Sequence, residues 1–500
     1  MLMLAICLVC LFLGYLIYGR FIERMVIPFR APTPAVDHPD GMDYVPMSKA
    51  KNHLIQLLNI AGTGPIFGAL MGAKWGPVVF IWIVAGTIFG GAVHDYMCGM
   101  MSERYNGKSA TGMIIHFIGK KSRYPVLILM IFVLIMVSAT FARSASDLLE
   151  TITGIPMAVW IALILMYFVI STVLPIDKVI GRIYPVFGVL LILMAAVVVG
   201  GLMVGGYEFP SFTLDNLHPD GTDFFPDMFI TVACGAISGF HATQSPMVAR
   251  CIKDEKDGRM VFYGAMVVES VIAVLWATAG MAFFQDTSAL AEALNNGGAS
   301  GVVYDIAVGV AGPVGGILAV IGVIICPITS GDTALRSTRM IIQDDRGYAP
   351  SNRRNSIIIT GILIVPIVIY CAADFTVLWN YFSWLNQTLA CVMLWVATIF
   401  ILAFNKRRYM ALFTAVPAVF MTMVVSAFIL HSNIGLGLDY DLSVMISVLF
   451  TVAVILIFVK YYLIDGKAKE IDLREDCLSF LLKHRGLGPN LTRPFGTWAF

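Results

Sequence analysis

Thirteen apolar segments, each about 20 residues long, follow one another along the chain with short polar stretches between them. Because about 20 apolar residues in a helix span the hydrocarbon core of a bilayer, this pattern predicts thirteen transmembrane helices. Their centres lie near residues 10, 63, 89, 133, 165, 195, 238, 272, 316, 364, 391, 419 and 452. We therefore expect an all-α polytopic membrane protein, with one transmembrane domain over residues 1–463 and a cytoplasmic C-terminal tail over 464–500.

The amino-acid composition rules out a soluble globular fold. Hydrophobic residues make up 58% of the chain and charged residues 13%, whereas charged residues are about 25% of an ordinary soluble domain. The formal net charge is +1, and the basic residues occur in short clusters between the apolar segments rather than on one face. We therefore expect the lipid bilayer as the surrounding medium and no nucleic-acid partner.

The positions of the basic residues predict the orientation of the helices. If the N-terminus lies outside, every gap after an odd-numbered helix is cytoplasmic, and of the 33 Lys and Arg residues only Lys74 and Arg143 fall outside. Basic residues concentrate in the cytoplasmic loops of membrane proteins. One missed helix would exchange the two sides of every later gap. The pattern therefore supports both the helix count and an outside N-terminus with a cytoplasmic C-terminus.

Two of the predicted helices contain glycine, polar residues and proline at mid-span. The second carries NIAGTGP over residues 59–65, and the seventh carries GAISGFHATQSP over 235–246. Proline removes a backbone donor, and irregular backbone at membrane depth is tolerated where it lines a cavity; close helix packing through small residues is the alternative. We predict that both segments unwind and bind substrate through Asn59, Gly62, Thr63, Gly64, Ser238, Gly239, His241 and Gln244.

The two interrupted helices lie five helices apart and run in opposite directions through the membrane. Transporters built from inverted repeats have this arrangement, with substrate and coupling ions held at mid-membrane between discontinuous helices. We therefore predict a five-plus-five inverted repeat, with repeat one over about 54–206 and repeat two over about 228–404. Helices one, twelve and thirteen would be peripheral additions. The prediction rests on topology, because the two halves share no visible sequence identity.

Ionisable residues within the third and eighth helices are candidates for ion coupling. An ionisable side chain at mid-membrane costs about 2.5–3.5 kcal/mol on insertion scales, so His94, Asp95 and Glu269 each need a partner or a function. Adjacent helical residues point about 100° apart, so His94 and Asp95 are expected to have separate partners. Burial favours the protonated form of Glu269 and makes it a candidate proton carrier. For all three residues the alternative is a structural hydrogen bond between helices.

The ninth helix carries a polar stretch after a proline, CPITSGDTALR over residues 326–336. We expect the helix to break and restart there, with Ser330 capping the new helix. Thr329 and Ser330 retain hydroxyl groups for a cation or substrate pocket. Asp332 is either an ion-coupling residue or the i, i+4 ion-pair partner of Arg336, and the ion pair is the simpler interpretation.

The eleventh helix mixes amide and aromatic side chains in WNYFSWLNQTLA. Such mixtures near a membrane interface are typical of anchoring belts. Asn386 and Gln387 lie deeper than a belt requires. We therefore include both as candidate substrate-binding residues, with a role in anchoring as the alternative.

Signatures of nucleotide-driven or hydrolytic chemistry are missing from the sequence. It contains no phosphate-binding glycine loop, no HExxH, no paired CxxC and no serine-nucleophile elbow. A metal-dependent intramembrane enzyme would need His94, Asp95 and His241 to converge on an ion, which nothing in their spacing requires. We therefore expect neither an enzyme nor an ATP-driven pump, and no metal or other cofactor.

Seven segments, in order between about residues 50 and 400, resemble the carbon starvation protein A (CstA) family. They are NIAGTGPIFGALMGAKWGP, GGAVHDYM, IDKVIGRIYPVFG, SGFHATQSPMVARC, FYGAM, TSGDTALRSTR and YFSWLNQTLA. The resemblance implies a proton-coupled uptake system of the inner membrane for peptides or small carboxylates such as pyruvate, used during nutrient limitation. It also implies the fold of the amino acid-polyamine-organocation superfamily, in agreement with the inverted repeat inferred from topology. The chain is shorter than the larger family members, with compact loops after about residue 400, so the substrate stays open.

The leading functional hypothesis is therefore a symporter that binds a small solute at the two unwound segments. The N-terminus of a half-helix there would favour a carboxylate group. Proton coupling would use Asp95 or Glu269, and sodium coupling would need oxygen ligands such as Thr329 and Ser330. The alternative is a membrane nutrient sensor or receptor that binds its ligand without accumulating it.

Overall fold

The computed structural model describes residues 2–25, 32–176, 180–209, 211–349, 352–373, 375–405 and 407–470, and these residues are almost entirely helical. The helices are labelled in chain order: α1 (Leu2–Glu23), α2 (Lys49–Ile60), α3 (64–75), α4 (77–104), α5 (Ala110–Ile118), α6 (Arg123–Thr153), α7 (Met157–Val173), α8 (Ile180–Val204), α9 (224–231), α10 (His241–Ala249), α11 (Glu255–Phe284), α12 (287–297), α13 (299–311), α14 (313–346), α15 (Arg353–Cys371), α16 (Phe375–Phe404), α17 (Arg408–His431) and α18 (Tyr440–Ile464). Residues 471–500, most of the predicted tail, lie outside the described residues.

The all-helical architecture predicted from hydropathy is confirmed. Across the described ranges, extended pairing is limited to one isolated bridge between Met47 and Ile252. Among the residues that the structure describes, ten helical stretches are long and apolar enough to cross a membrane. The predicted centres near 63 and 238 fall at helix interruptions, and the centre near 165 falls in α7, which has 17 residues. The count of thirteen spans therefore stays a prediction.

The terminal helices are peripheral to the bundle, as the repeat hypothesis expects. Only 28% of the most apolar stretch of α1 and 17% of that of α18 is buried within the protein, against 83% for α11. The other apolar side chains of α1 and α18 are exposed or partly exposed. The core is formed instead by α3, α4, α6, α11 and α16, whose most apolar stretches are 61–83% buried, and α14 packs along α6.

Both predicted helix interruptions are present. The α2 helix ends at Ile60, the chain is irregular over 61–63, and α3 begins at Gly64, next to Pro65. Between α9 and α10 the backbone is irregular over 232–240, where Gly235 has a φ of 91°. A side chain is strained at such a positive φ, so glycine suits this position. The local sequence thus dictates where each helix stops.

The two interruptions lie against each other in the middle of the bundle. A methyl group added at Gly64 would collide with the side chain of Cys234, and one added at Gly235 would lie 3.6 Å from the backbone of Pro65. A methyl group at Gly239 would overlap the main chain of α16 at Asn386 and Ala390. Glycine is therefore required at Gly64 and Gly239 by close approach, and at Gly235 by its positive φ and by Ala273 on α11.

The expected break in the ninth helix is wrong. The α14 helix runs without interruption from residue 313 to Arg346 and passes through Pro327. The breaks lie earlier, at Gly298 and Gly312, whose φ values are 65° and 68°. Proline removes only one backbone hydrogen bond, and the neighbouring helices α6 and α8 hold α14 on both sides. Ser330 therefore lies inside a helix and is not a helix cap.

Candidate functional site

A chain of four ionisable side chains lies at the centre of the bundle. Asp95 on α4 has one oxygen 2.9 Å from His94 Nδ1 and the other 2.9 Å from His241 Nδ1 on α10. The second ring nitrogen of His241, Nε2, lies 3.4 Å from Glu269 Oε2 on α11. The side chains of all four residues are fully buried. The structure thus joins four of the predicted site residues from three helices.

The spacing of glycines on α4 allows this convergence. Gly91 and Gly99 lie four residues before and after Asp95, so all three share one face of the helix. Any side chain at Gly91 would collide with the carbonyl of Ala236, in the α9–α10 interruption, and one at Gly99 would collide with the ring of Phe262 on α11. These two close contacts place Asp95 beside the α9–α10 interruption, which His241 follows, and beside α11, which carries Glu269. This GxxxDxxxG pattern was a signal that the sequence offered.

The expectation that His94 and Asp95 have separate partners is wrong. Although adjacent helical residues point in different directions, the His94 imidazole and the Asp95 carboxylate are close enough to form a hydrogen bond. His94 Nε2 also lies 3.7 Å from the Sγ atom of Cys98 on the next turn. His94 therefore orients Asp95 from one side while His241 binds it from the other.

Asn386 fixes the irregular segment between α9 and α10. Its side-chain oxygen accepts from the backbone N–H of Phe240, its amide nitrogen lies 3.0 Å from Ser238 Oγ, and its backbone carbonyl accepts from Gly239 N at 3.1 Å. Gln387 donates to the carbonyl of Phe229 at 3.1 Å, in α9. Asn386 thus positions the backbone of the interruption, and Gln387 contacts the helix before it. The alternative of a role in anchoring at the membrane interface is therefore wrong for this pair.

The α2–α3 interruption carries buried polar atoms without hydrogen-bond partners among the described residues. They include both side-chain polar atoms of Asn59, the hydroxyl of Thr63 and, across the interface on α10, the oxygen of Gln244. Buried polar groups are nearly always hydrogen-bonded in native proteins. Unpaired groups around an irregular backbone indicate a place where a polar ligand or water binds.

Thr329 and Ser330 on α14 both reach the last turn of α2. Their hydroxyl oxygens lie 2.8 Å and 3.2 Å from the backbone carbonyl of Leu58. The two hydroxyls and this carbonyl form a small group of oxygens beside the α2–α3 interruption. Hard cations bind such oxygen groups, and the carbonyl here belongs to Leu58 in α2, not to the irregular residues 61–63.

The predicted ion pair between Asp332 and Arg336 is wrong. Asp332 accepts hydrogen bonds from Ser171 Oγ at 2.6 Å and from Tyr167 OH at 3.2 Å, both on α7. Arg336 turns instead to Asp43, with 3.2 Å between Nη1 and Oδ1. Tertiary neighbours on α7 and in the loop before α2 therefore override the local i, i+4 spacing. The sequence offered no signal for Asp43.

An open cavity lies beside α9 and α16. It is lined by Lys74, Trp75, His218, Asp220, Thr222, Asp227, Ile230, Thr231, Trp379, Asn380, Ser383, Phe428 and Ser432. Trp379 forms its inner wall and packs on Phe67 and Phe382, with ring centroids 6.2 Å and 5.6 Å away. Burial and the nearby Lys74 ammonium lower the pKa of His218 to about 4, so its ring is neutral at physiological pH. The cavity thus ends at an aromatic layer.

Three potential metal ligands lie close together at the central site. Cys234, His241 and Glu269 each place one ligand atom within 4.8 Å of the others. The thiol of Cys234 already lies 3.4 Å from Ser238 Oγ, and His241 Nε2 faces Glu269 directly. The histidine and the glutamate thus face each other, with the Cys234 thiol beside them.

Comparison with known proteins identifies the family. The family described as carbon starvation protein CstA matches residues 1–218 and 145–297. The chain belongs to this family. An uncharacterized membrane protein of Haemophilus influenzae is 40% identical over 346 residues, covering 58% of this chain and 93% of that protein. The resemblance noted in the seven sequence segments is therefore confirmed.

Relatives with named functions match this chain over about half of their own length. The peptide transporter CstA of Campylobacter jejuni is 27% identical over 54% of this chain and 49% of its own length. The pyruvate/proton symporter BtsT of Escherichia coli is 28% identical over 52% of this chain and 46% of its own length. The chain thus spans about half the length of these relatives.

Solved transporters share the fold. The crystal structure of MhsT in complex with L-phenylalanine superposes with a TM-score of 0.54 at 14% identity, covering 81% of this chain and 98% of that one. A manganese transporter of Eremococcus coleocola gives a TM-score of 0.54 at 11% identity, over 86% of this chain and 98% of that one. Together with the ten apolar helices, the family and the fold show that the chain is a multi-pass membrane protein.

Proposed function

We propose that this CstA family protein is a proton-coupled symporter that takes up a small solute bearing a carboxylate group. The solute would be a peptide or a monocarboxylate such as pyruvate, the kinds of molecule named for two relatives. In this proposal the chain lies in the cytoplasmic membrane as an inverted repeat over about 54–206 and 228–404, with its N-terminus outside. It uses no cofactor and catalyses no chemical reaction.

The observation that carries the proposal is the contact between His241 and Glu269. Among the described residues, neither the Glu269 oxygens nor His241 Nε2 makes a hydrogen bond, and the Cys234 thiol lies within 4.8 Å of both groups. A proton can therefore reside on Glu269 or on His241 without breaking another bond. Because His241 begins α10, directly after the interruption, a change in its protonation acts on the segment that we assign to substrate binding.

The substrate would bind between the α2–α3 and α9–α10 interruptions. The N-terminus of α3 favours an anionic group there. The unpartnered Asn59 and Thr63 offer an amide and a hydroxyl, whereas the N–H groups of Gly239 and Phe240, at the start of α10, already donate to Asn386. A carboxylate thus finds its donors on the α2–α3 side of a buried site.

The proposal is tested by uptake into proteoliposomes. Labelled pyruvate and a labelled dipeptide are supplied under a proton gradient, under a sodium gradient and under neither. We expect accumulation of one of them under the proton gradient alone. A pH difference of one unit stores about 1.4 kcal/mol per proton, which supports roughly tenfold accumulation for one coupled proton.

A second outcome would favour the sensor hypothesis. If the purified protein binds either solute but accumulates neither under any gradient, then transport of these solutes is excluded. Empty liposomes and liposomes treated with a protonophore serve as controls, because they show passive entry and dissipate the gradient. Accumulation that survives the protonophore would contradict proton coupling.

Sodium is the second candidate coupling ion, because Thr329 and Ser330 converge on the carbonyl of Leu58. If sodium binds there, replacing Thr329 with alanine removes one oxygen ligand and raises the sodium concentration needed for half-maximal uptake by at least about tenfold, or 1.4 kcal/mol. Thr278→Ala is a matched control, because that hydroxyl donates only to Val274 within its own helix. Under the proton proposal, neither variant changes with sodium.

A further inference from the structure

Three arginines, one at the end of α10 and two on α14, are buried on one side of the bundle that we term the basic face. Arg250, Arg336 and Arg339 are each at most 1% exposed. Arg250 pairs with Asp344 at 2.7 Å. Arg336 Nη1 lies 3.2 Å from Asp43 Oδ1, and Arg339 Nη2 lies 3.1 Å from both Asp43 oxygens. Two fully buried guanidinium groups thus converge on one fully buried carboxylate.

This carboxylate belongs to a loop that covers the basic face of the bundle. On either side of Asp43, the backbone of Met42 accepts from Ile176 N at 3.1 Å, and Met47 N donates to Cys251 O at 2.9 Å. The hydroxyl of Tyr44 donates to Asn106 O at 2.8 Å. The loop therefore bridges the ends of α7, α10 and α4, and Asp43 attaches it to α14.

The two arginines retain hydrogen-bonding capacity. The Nε atoms of Arg336 and Arg339 have no acceptor among the described residues. Asp332, one turn away on α14, is bound to α7 and not to either arginine. Burying a cation is unfavourable unless an anion pairs with it, so the two guanidinium groups need a carboxylate at this position. Burial acts to raise the pKa of Asp43, but Arg339 and Arg336 outweigh it and hold that pKa below its ordinary value.

The arginine pair lies on the same helix as the hydroxyls that reach the central site. On α14, Thr329 contacts the last turn of α2, and Arg336 follows seven residues later, about 10 Å along the helix axis. Immediately after Arg336, Ser337 Oγ joins the helix to α10 by donating to Thr243 O at 3.1 Å. Along α14, the arginine pair therefore lies between the α2–α3 interruption and the loop.

We propose that Arg336 and Arg339 form a carboxylate-binding site, which Asp43 occupies in this conformation and which the carboxylate of the transported solute occupies after the loop has opened. The inference rests on the proposed function, because it requires a solute with a carboxylate. Exchanging one carboxylate for another keeps both buried cations paired and hydrogen-bonded. Opening the loop then avoids the large cost of leaving them without an anion.

The native thiol of Cys251 reports whether the loop is closed. Cys251 is 1% exposed, and its Sγ atom lies 3.7 Å from the backbone carbonyl of Asp43. In the purified full-length protein, we expect Asp43→Ala to increase the rate of Cys251 alkylation by a maleimide at least about tenfold. Peptide mass spectrometry assigns the labelled cysteine, and size-exclusion chromatography with thermal unfolding selects folded protein.

Acetate and pyruvate are the probes of the site. In Asp43→Ala, either anion should bind the vacated arginine pair and restore slow labelling of Cys251, whereas neutral acetamide should not. Asp43→Asn is the matched control, because its amide fills the space that acetate needs; it should label fast with or without acetate. Adding Arg336→Gln to Asp43→Ala should remove the acetate effect.

Three results would overturn the inference. They are unchanged Cys251 labelling in Asp43→Ala, no protection of that variant by acetate, and protection by acetamide as strong as that by acetate. The outcome is independent of transport: if acetate protects but no solute accumulates under any gradient, the carboxylate site stands and the proposed symport fails. If uptake is proton-driven but acetate gives no protection, the site fails alone.

Discussion

Replacing Glu269 with glutamine is expected to abolish proton-driven accumulation while leaving exchange of labelled for unlabelled solute across the membrane. Glutamine has nearly the shape of glutamate, and neither Glu269 oxygen accepts a hydrogen bond from the described residues, so the substitution breaks no such bond. It removes the group that takes up a proton beside His241. Measured in proteoliposomes with a pH difference of one unit, the accumulation ratio should fall from roughly tenfold to unity.

Asp95→Asn is the informative comparison for Glu269→Gln. It leaves His94 and His241 without their shared carboxylate, and breaking a buried ion pair costs about 3–5 kcal/mol. We therefore expect this variant to lose exchange as well as accumulation and to unfold at a lower temperature in detergent. If Glu269→Gln still concentrates solute under a proton gradient, Glu269 is not the coupling residue.

Replacing Gly239 with alanine is expected to destroy the central site. The added methyl group would overlap the main chain of α16 at Asn386 and Ala390, which cannot yield as a flexible side chain would. Overpacking costs about 1–3 kcal/mol, and more where the backbone must shift. Thermal unfolding in detergent should show a clear loss of stability, and uptake of any solute should be lost.

Gly90→Ala is the matched control for Gly239→Ala. Gly90 lies in α4, and a methyl group there would meet its nearest neighbour, Ile237, at an ordinary contact distance of 3.4 Å. We expect this variant to retain both stability and uptake, because alanine also favours the helix by up to about 1 kcal/mol relative to glycine. Equal behaviour of the two alanine variants would show that the close approach of the α9–α10 interruption to α16 is unimportant.

Local composition was enough to predict the two helix interruptions. Glycine and proline within an apolar segment act on the backbone of that segment alone, so NIAGTGP and GAISGFHATQSP marked both breaks. The same reasoning failed for Pro327, where α6 and α8 support the helix from outside. A proline therefore predicts a break only when the neighbouring helices do not compensate for the lost hydrogen bond.

The polar residues at the centre were found because each is costly in a membrane. The sequence named His94, Asp95, His241 and Glu269 separately, but it did not join them. Their connection depends on Gly91 and Gly99, which bring α4 against the α9–α10 interruption and α11. Contacts between helices that are more than a hundred residues apart are not encoded in hydropathy.

The sequence by itself determined the helical class, the family, the two interruptions and most of the residues around them. These features follow from apolar length, from the conformational preferences of glycine and proline, and from the cost of polar groups in lipid. Only the tertiary structure decided which charges pair: His94 with Asp95, His241 with Glu269, and Arg336 with Asp43 in place of Asp332. A salt bridge needs its nitrogen and oxygen atoms within about 4 Å of each other, so pairing is set by where the packed helices and loops place each side chain.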